Sequence, residues 1–120
     1  MILSFSKSFV RSFLLLIVVS LFSGAILCAS TPTARQYYEK GQEAQNSAEW
    51  YTAVEFYQEA VRLNNVYGDA WYSMAECTYA LGEYSLALTY LETAEKYAKN
   101  HTDILNLTGF CYLGLEKTEE

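Results

Sequence analysis

From Ala34 onward the apolar residues recur at intervals of three and four. Trp50, Ala53, Val54, Tyr57, Ala60 and Val61 form one such series, and Tyr84, Ala87, Leu88, Leu91 and Ala94 form another. That spacing places each set on one face of a helix. Polar and small residues interrupt the series at Asn46-Ser47-Ala48, Asn64-Asn65, Leu81-Gly82-Glu83 and Lys99-Asn100. Gly82 suits the left-handed residue that closes a helix, and Thr102 followed by Asp103 reads as an N-cap. The pattern predicts helices near 34–46, 49–64, 69–81, 83–98 and 102–115.

The pattern before Ala34 is different. Met1 to Ser12 carry two cations, Lys7 and Arg11, and no acid. The run Phe13 to Val19 is wholly apolar and continues through Leu21, Phe22 and Ala25 to Cys28. Small residues then gather at Ala29, Ser30 and Thr31, ahead of Pro32. A basic flank, a short apolar core and a small-residue exit make residues 1–29 a secretory signal peptide. The alternatives are a retained membrane anchor, for which the run is somewhat short, and a lipid anchor on Cys28, which Leu27 fits poorly. This reading implies export, to a periplasmic or envelope-associated location of bacterial type.

Beyond the leader, the chain superimposes on itself at a shift of 34 residues. Tyr37 falls on Trp71 and Leu105, Gly41 on Ala75 and Gly109, and Trp50 on Tyr84. Ala53 falls on Ala87, Val54 on Leu88, Tyr57 on Leu91 and Ala60 on Ala94, with no insertion. Large stays with large and small with small. The units are 34–67, 68–101 and the incomplete 102–120.

The period and its residues resemble the tetratricopeptide-repeat family. The first unit runs Tyr37, Gly41, Ala44, Ala53, Tyr57, Ala60, and the second Trp71, Ala75, Thr78, Ala87, Leu91, Ala94. The closing proline of that family is absent, and Ala44 and Thr78 stand where its first helix carries an aromatic; only Tyr112 keeps it. The resemblance implies an all-α fold, an α-solenoid of antiparallel helix hairpins with about two and a half repeats. Gly41 is expected to face Ala53, and Ala75 to face Ala87, so that paired helices approach closely.

The resemblance also implies a concave groove lined by the first helix of each repeat. Carried over position by position, its residues are Arg35, Tyr38, Gln42, Gln45 and Asn46, then Asp69, Tyr72, Glu76, Tyr79 and Ala80. Three tyrosines on one face favour a binding surface over a merely solvated one. The lysine and asparagine of the family's carboxylate clamp are replaced here by Tyr38 and Gln42, then Tyr72 and Glu76, which argues against chaperone tails.

Charge and chemistry narrow the function. The net charge is −6, and loss of Lys7 and Arg11 with the leader takes it two units further, to −8. An acidic chain without clustered Lys and Arg excludes a nucleic-acid partner. Membrane association would come through the N-terminal segment alone. The single histidine, His101, has no catalytic companion, so no catalytic residue and no enzyme activity are expected. Cys77 and Cys111, 34 apart, lack further metal ligands and read as small core residues. No metal and no cofactor are expected.

The last helix is apolar around most of its circumference, through Ile104, Leu105, Leu107, Phe110, Cys111, Tyr112 and Leu113. Such a helix reads as buried. Leu105, Gly109 and Tyr112 therefore form a C-terminal docking face for a second copy or a partner helix. The function expected is a protein–protein interaction module, a scaffold or adaptor holding a peptide or protein segment in its groove. The alternative is a structural or assembly subunit packed permanently into a larger envelope complex.

Overall fold

In the computed structural model the chain divides into two units, Met1–Thr31 and Pro32–Glu120. The structure describes residues 30–119, with Lys7 and Arg11. The leader read at 1–29 thus lies almost wholly outside the described residues. Among the described residues no helix is long and apolar enough to cross a membrane.

The second unit is all-helical in its described part. Its helices are α1 (Ala34–Asn46), α2 (Trp50–Leu63), α3 (Gly68–Ala80), α4 (Tyr84–Tyr97) and α5 (His101–Glu119). Each packs against the next, most extensively within the pairs α1–α2 and α3–α4. The five expected helices are all present, their ends shifted by a residue or so. The exception is α5, which runs to Glu119 and not to 115.

Local chemistry explains the ends. Thr33 caps α1 in a reciprocal box: its hydroxyl accepts from the Gln36 N–H at 3.3 Å, while Gln36 Oε1 accepts from the Thr33 N–H at 2.9 Å. Helix α5 opens one turn position earlier than Thr102 would place it. The Asn100 carbonyl accepts from Ile104 N–H, and the Asn100 amide donates to the Asp103 carboxylate. Asn100, not Thr102, therefore occupies the cap, because an acid three residues after it can bind back to it.

The turns inside the two hairpins are copies of each other. Glu49 N–H donates to Ala44 O at 2.9 Å, and Glu83 N–H donates to Thr78 O at 2.9 Å, in the same register. These are six-residue closures around one left-handed residue. That residue is Gly82 in the second turn (φ +79°) and Ala48 in the first (φ +58°). A side chain in this conformation is strained, whereas glycine is not. Ala48→Gly is expected to stabilise the protein by roughly 0.5–1 kcal/mol, since relief of strain outweighs the added unfolded-state entropy. A urea titration that shows a loss instead would mean that the Ala48 methyl packs usefully.

Two apolar clusters hold the helices together. One gathers Ala53, Tyr57, Ala60, Val61, Ala70, Met74 and Cys77; the other gathers Ala75, Ala87, Leu91, Ala94, Ile104, Leu107 and Cys111. Trp71 and Tyr90, whose rings lie 5.9 Å apart, pack against both. Trp71 also donates its indole N–H to the Asn65 carbonyl at 2.9 Å, fixing the α2–α3 connection. The small residues act as expected in allowing close approach. A Cβ built on Gly41 would meet the Tyr57 ring first, with Cδ1 at 2.6 Å, so Gly41 makes room for Tyr57. The cause is the size of Tyr57, which reaches across the hairpin where a smaller residue would not.

Candidate functional site

Helices α1 and α3 are each the first of their hairpin, and they share one side of the unit. Between them lies a concavity of about 400 Å³. Tyr38, Gln42, Gln45 and Asn46 line it from α1, and Asp69, Tyr72, Ser73 and Glu76 line it from α3. Ala98 and Asn100, in the α4–α5 connection, complete the wall. The 34-residue register explains the arrangement: residues at equal positions of successive first helices fall side by side.

Seven of the ten residues expected in the groove are therefore brought together, and Arg35, Tyr79 and Ala80 are not. Arg35 stands outside the lining, with its side chain 82% exposed and paired with Glu39 at 2.9 Å. An i, i+4 partner on its own helix holds it along α1. Tyr79 lies further along α3, its ring 5.5 Å from Tyr84 and 6.4 Å from Phe110. It packs on the neighbouring helix pair and does not face Tyr38 or Tyr72. Ser73, Ala98 and Asn100 were missed. Asn100 sits in a connection whose path no periodicity fixes, while one more shift of 34 from Glu76 would have pointed to Phe110.

A chain of polar contacts holds the floor. The buried Tyr57 hydroxyl donates to Gln45 Oε1 at 2.6 Å, and Gln45 Nε2 donates to Glu76 Oε2 at 3.2 Å. Three helices are joined by this relay, which fixes both the Gln45 amide orientation and the Glu76 carboxylate. Beside it the Tyr38 hydroxyl accepts from Gln42 Nε2 at 3.3 Å. Tyr38 is braced from behind by Tyr67 and Tyr57, at ring separations of 4.9 and 5.5 Å.

The electrostatics of the floor follow from its composition. Partial burial, and then the charges of Glu76 and Asp103, push the Tyr72 hydroxyl well above the usual tyrosine pKa. Burial raises Tyr57 and Tyr67 in the same way. All three are thus neutral hydrogen-bond donors at neutral pH. The Cys77 thiol, behind the floor, is pushed up to about 12 by burial, and Cys111 is raised by burial too. Both cysteines are free and buried, which makes them inert packing residues and not nucleophiles.

The second expected site, on α5, is only partly built. Leu105 is 65% exposed and Tyr112 57% exposed, and with Leu88 and Glu92 of α4 they line a separate cleft. Gly109 does not line it, and a Cβ placed there would meet nothing within 4 Å. Phe110 and Leu113 are also more than half exposed. Helix α5 is therefore buried on one side only, through Ile104, Leu107 and Cys111, and not around its circumference.

No family model matches the chain. Over 54 residues it is 39% identical to an uncharacterized protein of Methanocaldococcus jannaschii. That stretch is 45% of this chain and 63% of the archaeal protein, so the chain spans less than two thirds of the relative it matches.

Proposed function

We propose that this chain is an exported tetratricopeptide-repeat protein that serves as an interaction module, holding an extended peptide or protein segment in the concavity between α1 and α3. One observation carries the reading: seven residues placed in a groove by the family resemblance line a single concavity. Tyrosines there offer large rings whose backs are already packed, so little side-chain freedom is lost when a partner covers them. Fixed polar groups at Gln45 and Glu76 would set the direction of a bound backbone. The matching turns at Ala48 and Gly82 support the repeat assignment. Export to the envelope rests on the basic, apolar and small succession of residues 1–29.

The test is selection of a random twelve-residue peptide library on the immobilised full chain. Enriched peptides should lose at least tenfold in affinity on Tyr72→Ala, at a melting temperature close to wild type. Peptides that bind this variant equally well would sink the groove reading.

A second reading is favoured by the apolar exposure of Leu105, Phe110, Tyr112 and Leu113. In it, α5 packs permanently against another helix, and the protein is an assembly subunit. Sedimentation of the full chain separates the two. Self-association abolished by Leu105→Glu with Tyr112→Glu supports the second reading, and a monomer unaffected by those charges removes it.

A further inference from the structure

Resting on the groove reading, we infer that the segment bound between α1 and α3 is basic, presenting lysine or arginine side chains to the groove. The argument begins with which charges line it. Asp69 and Glu76 contribute carboxylates from α3, while no lysine or arginine lies among its lining residues. Arg35, which the family resemblance places there, is turned to Glu39. Asp103, bonded by Asn100 of the groove wall, adds a third negative charge, close enough to act on the Tyr72 hydroxyl.

These acids are not just a solvated surface. Glu76 is half-buried on α3 and held by Gln45, which in turn is held by the buried Tyr57. A carboxylate fixed in this way loses little freedom on meeting a cation, and its other lone pairs can accept from an ammonium or guanidinium. Tyr38 and Tyr72 line the same groove, and a cation over a tyrosine ring face is attracted by its quadrupole. A peptide bearing glutamate or a free C-terminal carboxylate would meet like charge, with no cation in the lining to answer it. The groove therefore selects against acidic tails as well as for basic ones.

The same library selection tests the inference, through the composition of the enriched peptides. Lysine and arginine should exceed their input frequency at recurring positions. Affinity should fall about tenfold on Glu76→Gln with Asp69→Asn, and should weaken as salt is raised. Glu55→Gln with Glu116→Gln, on exposed positions of α2 and α5, should leave binding unchanged; an equal loss there would reduce the effect to overall charge and overturn the inference. Asp69→Asn alone, at an exposed position, guards against misfolding at Glu76. Neutral or acidic peptides that bind and still depend on Tyr72 would overturn the basic partner while leaving the groove reading intact. Peptides indifferent to Tyr72, or no enrichment at all, would overturn both.

Discussion

Tyr57→Ala should remove much of the protein's stability and lower its melting temperature steeply. Tyr57 is fully buried at the centre of the first cluster, among Ala53, Ala60, Met74 and Cys77. Its removal opens a cavity between three helices and costs about 3–5 kcal/mol, as for other large aromatic truncations. It also leaves Gln45 without the hydroxyl that orients it. A unit of this size has a total stability of roughly 4–13 kcal/mol, so the loss consumes much of it. Circular dichroism on heating is the measurement; a melt within a few degrees of wild type would mean that the helices do not depend on this ring. Tyr57→Phe separates ring from hydroxyl and should cost about 1 kcal/mol, the usual net worth of one hydrogen bond.

The hydroxyl also gives the stability a sign with pH. Burial raises its pKa in the folded protein. Below about pH 10, the unfolded tyrosine value, both states keep the proton and the full stability is present. As pH rises beyond that, the unfolded state releases its proton first, and stability falls until the folded pKa is passed. Tyr67, Tyr72 and Cys77 are raised too and act in the same direction, so Tyr57→Phe should soften the alkaline loss without removing it.

Gly41→Leu should be nearly as damaging by the opposite route. Even a single added carbon at Gly41 overlaps the Tyr57 ring, and that ring is enclosed on its other sides. Overpacking of this kind costs roughly 1–3 kcal/mol, and a leucine here belongs at the upper end. The second hairpin shows the compensation: Ala75 stands in the place of Gly41, and Leu91 in the place of Tyr57. The larger first-helix residue goes with the smaller second-helix one. Gly41→Ala combined with Tyr57→Leu should therefore cost less than the sum of the two single changes, because the two sites share one volume. Urea titrations of the three variants give the answer. Strict additivity would show that the two positions do not compete for space.

The sequence by itself determined the helices, their order and the 34-residue register, because each depends on residues close together in the chain. Apolar spacing defines a helix face, and Gly82 marks a turn by its own backbone freedom. The family's groove positions, mapped onto that register, carried over to space where the chain repeats itself, which is why Tyr38, Gln42, Tyr72 and Glu76 were legible as one lining. What only the tertiary structure decided depends on side-chain reach and on the path of connections. Tyr57 is long enough to cross its hairpin to Gly41, which no periodicity encodes. Arg35 has a carboxylate within reach on its own helix, and Tyr79 has two rings beside it, so neither lines the groove that the resemblance assigned them. Asn100 entered the groove because the α4–α5 connection passes there, and a connection has no repeat from which to read its course. Helix α5 looked buried all round because its composition is apolar on every side, but burial needs neighbours, and α4 with a part of α3 covers only one of its faces.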